Sequence, residues 1–126
     1  MSESKLTVTV ISPEKQIFSG PAEYVNIPGT MGYFGVLFNH SPIVSELDVG
    51  ILEIKHDGKI LKIVVDGGFA EVKANQVKIL TNGGDVQEKI DPNRAAVDLE
   101  KAIASTSKTR NEDIKKAKVR VLIHKT

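Results

Sequence analysis

A chain of 126 residues, 40% hydrophobic and 26% charged, has the length of one domain, or of one domain with an appendage, and can bury a workable core. It contains no cysteine, which excludes a disulfide scaffold and thiolate metal sites and leaves the redox compartment open. The net charge of +1 hides an asymmetry: residues 1–88 hold seven Lys/Arg against eleven Asp/Glu, and residues 89–126 hold ten against five, which fits either two surfaces with different partners or a solvated basic helix pair.

The opening "MSESKLTVTV" has neither a signal-peptide nor a transit-peptide pattern, and no apolar run approaches the ~18 residues of a membrane span, so a soluble protein is expected. From Lys5 onward a period of two dominates. "KLTVTVI" puts Leu6, Val8 and Val10 on one face, and "AEYVNIP" puts Val25 with Ile27 and stops at Pro28. Gly29, Gly32 and Gly35 follow at intervals of three. A phosphate cradle would have to open a helix, and the following "VLFNHSPIV" has no helical period and contains Pro42, so a bent exposed loop between strands is predicted.

"GILEIKH" and "KILKIVV" flank Asp57 and Gly58, a strong hairpin signal, and "FAEVK" meets "QVKILT" at a second tight turn, Ala74 and Asn75. Val64, Val65, Phe69 and Val72 are the core candidates around "KIVVDGGFAEV", with the Phe69 ring expected to be largely buried. Eight to ten short strands precede Asn82, the spacing of a β-sandwich or flattened barrel.

The period then changes. Asp91 caps a predicted helix, Pro92 suits its first turn, and Ala95, Leu99, Ala102 and Ile103 form one stripe. After "STSKT", Thr109 and Glu112 fit a capping box, and Ile114, Ala117 and Val121 mark a second helix. Its end is ambiguous, because "KVRVLIH" also alternates like a strand.

Catalytic patterns are missing. His40, His56 and His124 are scattered without metal-ligand spacing, and there is no nucleophile motif or fixed carboxylate pair. Six aromatics and no basic stripe on the strand region argue against nucleic acid as a partner. The chain is not expected to be an enzyme on its own.

The ordered series "VISPEKQIFSGPAEYVNIPGTMGYFGVLFNHSP", "VDGGFAEVKANQVKIL" and "IDPNRA" resembles, over essentially the whole chain, the epsilon subunit family of bacterial F-type ATP synthase. The resemblance implies an α+β fold: an amino-terminal sandwich of about ten strands at residues 1–86, binding the rotor shaft and membrane ring, and an antiparallel two-helix hairpin at residues 87–126, acting as regulator.

It further implies a non-catalytic rotor subunit, peripheral on the cytoplasmic face of the bacterial inner membrane, whose partners are the gamma subunit, the c-subunit ring and, through an extended hairpin, the alpha and beta subunits. Ring and shaft contacts would fall on Gly29, Met31, Gly32, Tyr33 and His40. Met31 and Tyr33 stand where the family often carries acidic residues, which favours an apolar footing. Lys108, Arg110, Lys115, Lys116, Lys118 and Arg120 would serve the inhibitory hairpin against an acidic rim. No cofactor is required. Ile90, Asp91, Arg94 and Ala95 fit the family's motif for ATP as a regulatory ligand, with Arg94 toward phosphate; they fit equally a plain helix start.

Overall fold

The computed structural model describes residues 5–125. Its first part forms eight strands: β1 (Leu6–Ile11), β2 (Gln16–Ala22), β3 (Tyr24–Gly29), β4 (Gly32–Val36), β5 (Ile43–His56), β6 (Lys59–Lys73), β7 (Gln76–Thr81) and β8 (Gly84–Val86). The sheet order is β2-β1-β7-β6-β5-β3-β4, with β8 paired to β6 beside that path. The β1 and β7 pair is parallel and the other pairs are antiparallel.

The sheet folds back on itself as a flattened sandwich. Glu23 N donates to Lys55 O at 2.9 Å and His56 Nδ1 donates to Pro21 O at 2.7 Å, which brings the end of β2 to the end of β5. Between the layers the inward positions of the alternating runs meet. Leu6, Val8 and Val10 of β1 pack with Val25, Ile27, Leu52, Ile54, Ile63, Val77 and Ile79, all essentially fully buried. Apolar burial at ~25 cal/mol per Å² is the main stabilising term here.

About ten strands were expected and eight form, because runs that look separate in sequence are continuous. "KILKIVV" and "FAEVK" are both in β6, which bends at Gly67 and Gly68 with φ of 81° and 122° instead of ending. At Gly68 a Cβ would lie 1.9 Å from Leu80 O, so only glycine lets the bent strand cross β7 there. The two predicted hairpin turns form as read. Asp57 and Gly58 have φ of 51° and 77°, and Ala74 and Asn75 have 51° and 63°, the left-handed pair that a two-residue hairpin loop needs.

Phe69 corrects the core assignment. It is 58% exposed, while its neighbours Ala70 and Val72 point inward. The bend at Gly67 and Gly68 resets which residues of the strand face the core, and the period of two then carries Phe69 outward.

A short 3₁₀ turn (Gln87–Lys89) leads from the strands to α1 (Pro92–Ala104) and α2 (Arg110–Leu122). Asp91 Oδ1 accepts from Asn93 N at 2.9 Å and Arg94 N at 3.4 Å, which is the predicted cap. The capping box at Thr109 does not form. Its hydroxyl donates instead to Asp113 Oδ2 at 2.9 Å, and the side chain caps no backbone amide. The ambiguous "KVRVLIH" continues as helix through Leu122, because Val119 and Ile123, four apart, then lie on one face and cover Val64 of β6.

Candidate interaction surfaces

The first candidate surface lies on the outer face of the sheet, built by the same alternation that makes the core. One row across four strands runs Glu46, Phe69, Leu80, Ile11, and the next runs Val44, Glu71, Lys78, Thr9. Val44 is 70% exposed and Leu80 56%, and Val44, Phe69 and Leu80 line a shallow depression of about 230 Å³. A cluster of large apolar side chains in water on a sheet face marks an interaction site. Val44, Leu80 and Ile11 were not singled out in the sequence, and Phe69 was assigned to the core. Their signal was there, as apolar residues at outward positions of alternating strands.

The glycine stretch proves to be the β3–β4 hairpin. Met31 at its tip is 98% exposed and Tyr33 is half exposed, with its hydroxyl accepting from Ile51 N at 3.0 Å. Gly32 takes φ of 120° in the turn, and Gly29 is buried where a Cβ would crowd Gly32 O and the Ser45 hydroxyl. Thr30 N donates to Glu46 O at 3.0 Å, so the tip adjoins the row that contains Phe69. His40 lies in the next loop, its Nδ1 donating to Ser41 O at 2.6 Å, close to exposed Leu37 and Phe38. The five predicted contact residues thus divide: Met31 and Tyr33 offer surface, the two glycines shape the turn, and His40 belongs to the neighbouring loop.

The nucleotide candidates do not converge. Ala95 is buried, and Ile90 packs on the cluster formed by Val64, Val119 and Ile123. Asp91 uses its carboxylate in the cap, and Arg94 Nε donates to Asp98 Oδ1 at 3.2 Å on the exposed face of α1. The cleft between α1 and α2, about 240 Å³, is lined by Asp98, Ala102, Asp113, Lys116, Ala117 and Arg120, and neither Asp91 nor Arg94 reaches it.

The hairpin cations have three different occupations. Arg110 Nε and Nη2 donate to Ile103 O at 3.1 and 2.9 Å, satisfying a carbonyl at the end of α1. Lys108 and Lys118 are exposed, and Lys116 borders the interhelical cleft. Lys115 and Arg120 are committed to the sandwich. Lys115 Nζ is 2.5 Å from Asp48 Oδ1, and Arg120 makes a two-pronged pair with Asp66, Nη1 to Oδ1 at 2.8 Å and Nη2 to Oδ2 at 2.7 Å. The hydrogen bond from Lys115 holds the Asp48 carboxyl below its ordinary range against the opposing effect of burial, and Asp48 in turn raises Lys115. Hydrogen bonding to Asp66 likewise raises Arg120. Asp48 and Asp66 were missed in the sequence because each shares its strand with at least one other acid, with nothing nearby in the chain to name its partner.

Residues 5–84 match the family model described as ATP synthase, Delta/Epsilon chain, beta-sandwich domain. The chain is 44% identical to the ATP synthase epsilon chain of Leptospira borgpetersenii serovar Hardjo-bovis over 98% of both chains, and 37% identical to that of Thermosynechococcus vestitus over 90% of this chain and 83% of the relative. A chain of the Euglena gracilis mitochondrial ATP synthase, solved by cryo-EM as OSCP/F1/c-ring in rotational state 1, is similar with a TM-score of 0.73 and 28% identity, over 94% of this chain and 76% of that one. A chain of the Tetrahymena thermophila central stalk and c-ring, at a TM-score of 0.65 and 16% identity over 99% and 97%, shares the fold.

Proposed function

The chain belongs to the ATP synthase epsilon-chain family, and from that premise we propose that it is a non-catalytic central-stalk subunit, coupling rotation of a proton-driven membrane ring to ATP synthesis and restraining ATP hydrolysis through its helix hairpin. The observation that carries this is the exposed apolar row of Phe69, Leu80 and Ile11 on the sheet face, with Val44 beside it. Such a surface supports docking of the sandwich on the gamma subunit, and Met31 and Tyr33 at the adjoining tip support an apolar footing on the c-subunit ring. The exposed Lys108 and Lys118, with the cations of α2, would meet the acidic alpha and beta subunits when the hairpin extends. The complex would hold the chain on the cytoplasmic face of the bacterial inner membrane; none of its described helices is long and apolar enough to cross a membrane.

A tagged copy of the chain, drawn from a detergent extract of membranes, should bring gamma and the catalytic subunits with it. Vesicles reconstituted without it should lose proton-driven ATP synthesis. Recovery of the chain alone would overturn the proposal.

ATP as a regulatory ligand is the second reading. It is favoured by one observation: Arg94 is exposed, and its partner Asp98 is a surface ion pair of the kind worth under ~1 kcal/mol, which a phosphate can displace.

A further inference from the structure

The hairpin is attached to the sandwich through a narrow contact. α1 packs on α2, and the contacts with the strands run through α2, where Val119 and Ile123 close over Val64. At 3.6 residues per turn, Lys115 and Arg120 lie on opposite borders of the Val119 and Ile123 stripe, and the acids they reach are neighbours in the β5–β6 ladder, Asp48 preceding Val49, which stands opposite Asp66. The sandwich is shaped to present these acids. Asp66 sits where β6 changes partner from β8 to β7, its amide held by Gly83 O and the Thr81 hydroxyl at 3.1 Å each. A Cβ on Gly83 would lie 2.9 Å from Asp66 Oδ2, so glycine leaves room for the carboxylate. Asp48 is fixed by accepting from Val49 N at 2.8 Å.

We propose that Asp48 with Lys115 and Asp66 with Arg120 form a charge latch that sets how often the hairpin leaves the sandwich. A purely apolar contact would be nearly indifferent to ionic strength, whereas this one weakens as salt screens its exposed pair over a Debye length of ~8 Å at physiological ionic strength. Release also frees both cations. The latch and the basic face that an extended hairpin would offer are therefore built from the same side chains, and each cation can serve one posture at a time. The consequence for hydrolysis rests on the proposed restraint by the hairpin; the latch itself is a property of the isolated chain.

Hydrogen exchange on the full chain tests it. Asp66→Asn should speed exchange of the Ala117 and Val119 amides about tenfold or more, and Asp48→Asn about threefold, with protection at Val8 and Ile79 unchanged. Arg120→Gln, made from the helix side, should act as Asp66→Asn does, and the exchanged pair Asp48→Lys with Lys115→Asp should restore protection. Added salt should speed exchange in the parent and have less effect in the doubly substituted Asp48→Asn, Asp66→Asn chain. Parent-like rates in the single variants, equal salt effects, failure of the exchanged pair to recover, or parallel loss at Val8 and Ile79 would each overturn the latch. In the assembled enzyme Asp66→Asn should lower ATP hydrolysis; faster exchange with unchanged hydrolysis would keep the latch and reject the restraint.

Discussion

Phe69 and Leu80 stand opposite one another in the β6–β7 ladder, and both side chains leave the sandwich for solvent, 58% and 56% exposed. The pair therefore contributes little to folding and is available to a partner. Phe69→Thr, which keeps a strand-favouring residue, should change stability by less than ~1 kcal/mol in denaturant melts while weakening binding to the gamma subunit at least tenfold. Leu52 is the control. It is fully buried opposite Ile63, and Leu52→Ala should cost about 2 to 5 kcal/mol. A Phe69 variant that melts like Leu52→Ala would place the ring in the core after all.

The main core draws its buried residues from the strands alone, from Leu6 to Ile79, so a chain ended after Glu88 should unfold in one cooperative transition. It loses the small cluster over Val64 and the ion pairs that Lys115 and Arg120 make with Asp48 and Asp66. Proton-driven ATP synthesis should persist when this short form replaces the full chain in vesicles. A peptide of residues 89–126 should show little helical circular dichroism, since two helices of 13 residues each depend on docking.

Arg94 is poised between two partners. If ATP binds at this helix start, Arg94→Ala should lower its affinity by roughly ten- to a hundredfold, the value of a charge-assisted contact. Asp98→Asn should raise it, because the carboxylate that now holds Arg94 Nε competes with phosphate. Calorimetry with ATP on the parent and both variants decides the matter, and equal heats for all three would leave Asp91 and Arg94 as a cap and a first-turn residue.

Acid should open the hairpin before it melts the sandwich. The Asp48 carboxyl is held low by Lys115, so its contribution is fully present above the unfolded value of ~3.9 and is lost as pH falls through the lower folded value. Asp85 follows the same sign: burial pushes it up, but hydrogen bonds from Lys15 and the Val86 amide outweigh burial and leave it lowered. Lys115 is raised, so its share persists below ~10.4 and disappears as pH rises through the folded value. Exchange at Val119 measured from neutrality down to about pH 3 should accelerate below about pH 4, and Asp48→Asn should flatten that limb. An identical acid limb in the variant would assign it to other groups.

The sequence by itself determined the parts whose cause is local. Period-two runs gave the strands, left-handed turn pairs gave the Asp57–Gly58 and Ala74–Asn75 hairpins, and Asp91 with Pro92 gave the start of α1. Whole-chain resemblance supplied the family, which no single motif carried. What only the tertiary structure decided depends on residues far apart in the chain. A bend at Gly67 and Gly68 kept β6 continuous and turned Phe69 outward, where the apolar area of its ring had suggested core. "KVRVLIH" could alternate as a strand or wind as a helix, and the open surface of Val64 chose the helix by giving Val119 and Ile123 a common face to cover. Asp66 and Arg120, 54 positions apart, are one acid and one cation among many until the fold brings them to 2.7 Å. Local propensity fixes elements because its interactions span a few residues; the choice of partner across the molecule is made by packing, which no short window of sequence contains.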